Sequence, residues 1–290
     1  MGTPKVGFIG LGHMGAPMAS CLVERGFDTI VFDAAGTEER APAGAKAASD
    51  LRDMTEAEVI LMSLPHGEAS VSVCRELTES MTKHIRYVVD LSSIGVPAAE
   101  KCAKILNHSN MKYIDSPVSG GQRGAASGSL TLMTAAEQQD LDFVRPVLSA
   151  FSTNIFHMGD QSGQGQAMKL LNNYLASSIL AATSEAAAAG VHAGLDLKQM
   201  IEIINVSTGS SFMSNNVFME SVIPEKFDAG FSSSLLLKDL KLYGDSIEQE
   251  TPADLFRVVL SLWEEFEETQ PNTDVSQMYK YLLNKRVPAK

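Results

Sequence analysis

The chain has little cysteine, little positive charge and no long apolar run. Its 290 residues include three cysteines, one tryptophan, and 23 lysines and arginines against 35 aspartates and glutamates. Cys21, Cys74 and Cys102 lie far apart in the chain without metal-ligand spacing. That argues against a disulfide framework, leaves no expected metal site, and predicts buried thiols in a reducing compartment. A net charge of −12 repels a phosphate backbone, so no nucleic-acid partner is expected. The acidic run Glu264, Glu265, Glu267 and Glu268 reads as a solvated helix face. The most apolar stretch, Tyr174 to Leu195, is alanine-rich and interrupted by Glu185 and His192, so no membrane span is expected. No basic-then-apolar leader precedes the first apolar run, and a cytoplasmic location is the expectation. Repeats and low-complexity tracts are missing too.

The first half is an alternation of short apolar runs with helical patterns. Lys5–Gly10, Thr29–Asp33, Val59–Ser63, Tyr87–Leu91 and Lys112–Asp115 read as strands, with more at Ser129–Met133 and Asn154–His157. Strands alternating with helices imply a parallel sheet covered on both faces. After Gly165 helical periodicity dominates. Gln166 to about Ala193 predicts one long helix whose alanines permit close packing, with breaks near Gly194, Thr208–Gly209, Gly230 and Thr251–Pro252.

Gly10-Leu11-Gly12-His13-Met14-Gly15 follows the first strand and opens a helix. The first glycine permits a tight turn, the second lets the backbone approach a pyrophosphate, and the third allows close helix–strand packing. The helix N-terminus then faces the anion. The second strand ends at Asp33, where a carboxylate either accepts bonds from the adenosine ribose or caps a turn. It would repel a 2′-phosphate, and no arginine follows until Arg40, so NAD is favoured and NADP remains possible. The expected fold is an α/β Rossmann-type N-terminal domain with a parallel-rich sheet, 1–163. An all-α C-terminal domain, 164–290, is joined to it by the long helix.

Polar loops follow the later strands, where an open sheet presents residues to a ligand. Leu64 and Pro65 follow one strand, with His66 read as a solvated loop residue. Ser92 and Ser93 follow the next; their hydroxyls can bond a ribose or carboxamide, or cap the helix beginning near Val96. Asp115-Ser116-Pro117-Val118-Ser119-Gly120-Gly121 offers a hydroxyl and unshielded backbone N–H groups, either a nest for a carboxylate or a structural turn.

With its segments "GFIGLGHMGAPMA", "DSPVSGGQRGAASGSLTLM", "GQGQAMKLLNN" and "KDL" in that order, the chain resembles the β-hydroxyacid dehydrogenase family, of the 3-hydroxyisobutyrate dehydrogenase and tartronate semialdehyde reductase type. The resemblance implies NAD binding by Gly10, Gly12, Met14, Gly15, Asp33, Leu64, Pro65 and Ser93, and a small hydroxy-carboxylate held by Ser119, Gly120 and Gly121. It implies that Lys169 is the catalytic lysine, with Asn173, Asn172 and Phe231 toward the substrate and Lys238 and Asp239 near the cofactor. The small-residue helix and the helical tail of the second domain point to a role in oligomerisation, as a homodimer or homotetramer, beside substrate binding. Departures are Ser93 for threonine, Ala135-Ala136 for paired glycines, and a shifted Pro97. The first keeps the hydroxyl, and the second predicts only a local turn change.

The expected reaction moves hydride between NAD and a 3-hydroxyisobutyrate-like acid, with Lys169 as general acid/base. Lys169 lies in the first turns of its helix among Met168, Leu170 and Leu171. Desolvation and a helix N-terminus both lower a lysine pKa. On the residues alone, a packed stem with its amine in water is an equal reading. Asn173 at i+4 shares the face of Lys169. The rivals are an NADPH-dependent short-chain aldehyde reductase acting on glyoxylate or succinic semialdehyde, an imine reductase, and a non-catalytic dehydrogenase-like scaffold. Lys169 and the intact glycine turn argue against the last two.

Overall fold

The computed structural model describes residues 3–79, 84–247 and 252–285. The chain divides into two compact units between Leu170 and Leu171.

The first unit alternates strands and helices in the expected way. They are β1 (Val6–Ile9), α1 (Gly15–Glu24), β2 (Thr29–Phe32), β3 (Lys46–Ala47), β4 (Val59–Met62), α2 (Gly67–Glu79), β5 (Tyr87–Asp90), α3 (Val96–Asn107), β6 (Lys112–Asp115), β7 (Val118–Ser119), α4 (Gly121–Ser127), β8 (Leu130–Ala135), α5 (Gln138–Leu148) and β9 (Ser152–Gly159). A 3₁₀ turn at Leu51–Glu56 precedes β4. Six strands run parallel in the order β3-β2-β1-β4-β5-β6, which reverses direction of winding between β1 and β4. An open sheet of this kind binds ligands beyond its carboxyl ends at that switch.

Strand residues alternate between two cores, as a period of two requires. Val6, Phe8, Leu61 and Val89 face one side, with Met18 and Leu22 of α1 and Leu141 and Val144 of α5. Ile9, Ile60, Met62 and Val88 face the other, with Cys74 of α2 and Cys102 of α3. Burial on both faces explains why β1, β4 and β5 read as nearly unbroken apolar runs.

The sheet is mixed at one side. β8 pairs antiparallel with β6 and β7 and parallel with β9. Two-residue strands such as β3 and β7 carry no periodicity, and the sequence reading does not contain them. Ala135, expected at a turn, is instead the buried last residue of β8.

The long helix α6 runs Gln164–His192, close to the expected limits. Its first turns belong with the sheet unit. The second unit continues with α7 (Leu197–Asn205), a π-helix (Met213–Val222), α8 (Ser233–Ser246), α9 (Asp254–Thr269), a 3₁₀ turn (Val275–Gln277) and α10 (Met278–Asn284). The expected breaks at Gly194, Thr208–Gly209 and Gly230 fall between helices; Thr251 lies outside the described residues. Asp196 and Ser232 cap α7 and α8 with their side chains. The core of this unit gathers Trp263, Phe218, Phe266, Leu240 and Met278.

The acidic run on α9 is more engaged than a solvated face. Glu267 accepts from Ser234 Oγ at 2.7 Å and Asn272 N at 3.0 Å, and Glu265 pairs with Lys285. The three cysteines are free and buried. Among the described residues no helix is long and apolar enough to cross a membrane, and no cluster of metal-ligating side chains occurs.

Candidate active site

The glycine turn is built as its spacing requires. Gly10 has φ +93°, and a Cβ there would lie 2.2 Å from the Ser63 carbonyl oxygen. A Cβ on Gly15 would lie 1.8 Å from the Gly10 carbonyl oxygen. Gly12 differs: a Cβ there meets nothing within 4 Å. The fold needs Gly10 and Gly15 for its own packing, whereas Gly12 leaves open space over the turn. Met14 precedes α1 without a side-chain cap bond; Ala16 N donates to the Gly12 carbonyl at 3.1 Å and Pro17 has no N–H, so few amides at this helix start are available to an acceptor. The open space over Gly12, beside the helix N-terminus, fits a dinucleotide pyrophosphate. Gly15→Ala is therefore expected to destabilise the protein by ~1–3 kcal/mol or more through overpacking against backbone. Gly12→Ala is expected to stay within about 0.5 kcal/mol of wild type while losing NADH affinity. Urea midpoints and NADH fluorescence titration check the pair; equal stability losses would remove the distinction.

Both readings of Asp33 are compatible with its bonds. Its Oδ2 accepts from Leu11 N at 2.6 Å and its Oδ1 from Ala35 N at 2.8 Å. The carboxylate thus closes the glycine loop and caps its own turn. Each oxygen keeps further acceptor capacity for a ribose hydroxyl.

The Leu64-Pro65 loop is tied down by Ser92, whose Oγ accepts from Leu64 N at 2.7 Å. Ser92 N in turn donates to Asp90 Oδ1 at 3.0 Å. Burial pushes the Asp90 carboxyl above its usual range. The serines do not cap α3: Gly95 holds that position without a side-chain bond. Ser93 is half-buried on the same loop. His66 is exposed, and its Nδ1 accepts from Ala69 N at 3.2 Å, a local bond at the start of α2.

Asp115 ends β6 and anchors the start of α6. Its Oδ2 accepts from Gly163 N at 3.0 Å and Gln166 N at 3.1 Å, and its Oδ1 from Gln166 Nε2 at 2.7 Å. Burial raises its carboxyl to about 6, although the Gln166 side chain and two backbone amides pull it down. Gly165 permits this approach, since a Cβ there would lie 2.3 Å from the Met133 carbonyl oxygen. Lys169 follows in the second turn of α6 and is half-buried. Neither Asp115 nor Gln166 was singled out as a site residue from sequence. The readable signal was a carboxylate ending a buried strand and a glutamine between two helix-starting glycines and the lysine.

Ser119 ends β7, and Gly120 and Gly121 begin α4 with φ of +130° and +62°. Ser119 is half-buried and both glycines are exposed. No side chain caps α4 at Gly120.

In the helical unit, Asn173 Nδ2 donates to Asp239 Oδ2 at 2.6 Å. Lys238 Nζ lies 3.2 Å from Asp239 Oδ1, with side-chain exposures of 30% and 4%. The Asp239 carboxylate is thus buried between an amide and an ammonium, each engaging a different oxygen. Asn172 Nδ2 donates to Asn173 Oδ1 at 3.4 Å, so the paired asparagines form a relay toward Asp239. Phe231 is half-buried against the core of this unit, and its carbonyl accepts from Val275 N at 3.0 Å.

Both parts of the chain are similar to known proteins. Residues 5–159 match the family described as the NAD binding domain of 6-phosphogluconate dehydrogenase. Residues 163–282 match the family described as NAD-binding of NADP-dependent 3-hydroxyisobutyrate dehydrogenase. The chain is 35% identical to 2-(hydroxymethyl)glutarate dehydrogenase of Eubacterium barkeri, over 82% of this chain and 80% of the relative. It is 31% identical to 3-hydroxyisobutyrate dehydrogenase of Pseudomonas aeruginosa, over 97% and 99%. The solved structure of Mycobacterium tuberculosis 3-hydroxyisobutyrate dehydrogenase with L-serine superposes with a TM-score of 0.88 at 27% identity, covering 97% of this chain and 99% of that one.

Proposed function

The chain belongs to the β-hydroxyacid dehydrogenase family, and from that premise we propose that Lys169 is the proton-transfer group of an NAD(P)-dependent oxidation of a small 3-hydroxy acid. The observation that carries the reading is the shared anchoring of the lysine's helix and the cofactor-side loops in one unit. Asp115 and Gln166 bind the first turn of α6 to the links that follow β5 and β6. Residues 1–163 form the dinucleotide domain in this reading, and 164–290 serve substrate and assembly.

NAD, when bound, would supply the hydride acceptor for the carbinol carbon. The chain's residues would handle the rest. Gly10, Gly12, Met14 and Gly15 would hold the pyrophosphate, Asp33 would accept from the ribose hydroxyls, and Leu64, Pro65 and Ser93 would serve the nicotinamide side. Ser119, Gly120 and Gly121 offer a hydroxyl and two amides to the substrate carboxylate. Neutral Lys169 takes the hydroxyl proton as the C–O bond becomes a carbonyl, and returns it in reverse. Asn173, Asn172 and Phe231 are assigned to substrate, and Lys238 and Asp239 to the cofactor side. The Asp239 contact fixes the Asn173 amide with its nitrogen toward the carboxylate.

Asp33 supports NAD over NADP, because a carboxylate beside the ribose repels a 2′-phosphate. A cytoplasmic location and a homodimer or homotetramer complete the reading. The oligomer is supported by exposed Leu171, Leu175 and Ile179, spaced at helical repeats on α6. The deciding experiment screens small 2- and 3-hydroxy acids, semialdehydes and cyclic imines with NAD(H) and NADP(H), on protein whose mass is read by sedimentation. NADH formation from a 3-hydroxy acid, on a dimer or tetramer, is the expected result. Turnover confined to imines, or NADPH-only reduction of aldehydes, would replace the reading with a rival.

A further inference from the structure

Gln166 is 0% exposed, and each hydrogen-bonding position of its amide is taken. Oε1 accepts from Ile94 N at 2.8 Å and Gly95 N at 3.1 Å. Nε2 donates to Ser92 O at 3.0 Å and to Asp115 Oδ1 at 2.7 Å. An amide has two N–H donors and two acceptor lone pairs, so this one is saturated. Its orientation follows without choice: exchanging oxygen and nitrogen would set an NH₂ against two backbone N–H groups. The backbone N of Gln166 adds a further bond to Asp115 Oδ2 at 3.1 Å.

These partners belong to separate parts of the candidate site. Ser92 to Gly95 is the link between β5 and α3, and it carries Ser93. Asp115 closes β6 just ahead of the Ser119 loop. Lys169 stands three residues beyond Gln166 on the same helix, nearly one turn away. We propose that Gln166 is a positioning residue: it pins the Ser92–Gly95 link and Asp115 to the first turn of α6, and so sets where Lys169 stands relative to the loop bearing Ser93. The proposal rests on the reading of Lys169 as the proton-transfer group. Gln166 touches no reactant in this role. Its effect is alignment, where a displacement of about 1 Å can cost about 10²-fold in rate.

Gln166→Glu keeps the shape and changes one atom. The new carboxyl still accepts from Ile94 and Gly95, but its second oxygen faces Ser92 O and the Asp115 carboxylate where two N–H groups stood. Two carboxylates at that separation do not both ionise, so the pair takes up a proton as pH falls. The protonated pair regains one donor and holds the link again. The expected result is a kcat about 10²-fold below wild type at pH 8, with NADH affinity within about threefold. The ratio of variant to wild-type kcat should then rise by about tenfold on going to pH 6. Gln166→Leu, followed by amide hydrogen exchange, supplies a readout independent of turnover. Exchange at Ile94, Gly95 and Gly163 should accelerate while β1 amides stay protected.

Accelerated exchange with unchanged kcat would overturn the proposal, because the clamp would then exist without governing catalysis. A kcat loss matched by an equal loss of NADH affinity, with no relief at lower pH, would also overturn it, as general structural damage. A wild-type protein that oxidises no hydroxy acid would sink the functional reading and this proposal with it. An active wild type with an indifferent Gln166→Glu variant sinks the proposal alone.

Discussion

Lys169→Ala is expected to lower kcat by about 10²–10⁴-fold, the usual worth of positioned acid–base catalysis. NADH affinity should stay within about threefold of wild type, since the glycine turn and Asp33 are on other elements. The competing account is that Lys169, half-buried among Met168 and Leu170, only packs its hydrocarbon stem. Two further variants separate the accounts. Lys169→Met keeps most of the stem and removes the amine. Lys169→Arg keeps the charge but cannot give up its proton near neutral pH. Proton transfer requires both to be as poor as the alanine variant. Packing alone predicts that the methionine variant works and the alanine variant is unstable. Pre-steady-state hydride transfer, read as NADH absorbance, checks the chemical step without interference from product release. Near wild-type turnover in Lys169→Met would end the assignment.

The parts of this architecture that were legible in the sequence are those with their own local physics. Doubly buried strands read as apolar runs, and Gly10-Leu11-Gly12-His13-Met14-Gly15 reads as a turn because Gly10 and Gly15 meet steric demands of the fold while Gly12 leaves open space. The helical pattern of the second half was readable, and so were the breaks between its helices at Gly194 and Gly230, both of which take positive φ in the structure. What was not legible depends on partners far away in the chain. Gln166 binds groups 71 to 74 residues earlier, and its place between two glycines and the lysine does not by itself reveal those partners. Asn173 reaches Asp239 across 66 residues, so its pairing was invisible although its helical face was not. The antiparallel entry of β8 depends on pairing, which short strands do not encode locally. The π-helix at Met213–Val222 shows only a generic helical pattern in sequence, because its i→i+5 bonding is a choice made by the backbone.

Asp115 yields the second large effect, one of stability. The folded protein holds this carboxyl's proton up to about pH 6, whereas the ordinary value is 3.8. Between those values the native state binds more protons than the unfolded chain, so stability falls as pH rises. The stabilisation is fully present below 3.8 and lost above about 6, with a total of about 3 kcal/mol from a difference of roughly two pKa units. Asp115→Asn removes the titration. It also disturbs the anchor, because an amide presents its own NH₂ to one side of a site lined by the N–H groups of Gly163 and Gln166. That mismatch costs ~1–3 kcal/mol. The test is the wild-type minus variant difference in urea unfolding free energy, followed from pH 4 to pH 7. Carboxylates distant from Asp115 cancel to first order in that difference, whereas Asp90, whose charge raises the Asp115 carboxyl, contributes to it. The expected curve declines with pH. A curve that climbs instead would mean that three N–H donors and the start of α6 outweigh burial, and that Asp115 is held ionised as a helix cap. The slope therefore decides which force governs the anchor of the helix that carries Lys169. The three N–H bonds themselves favour the ionised carboxylate, so protonation of Asp115 relieves the cost of burying its charge while weakening the bonds of the anchor.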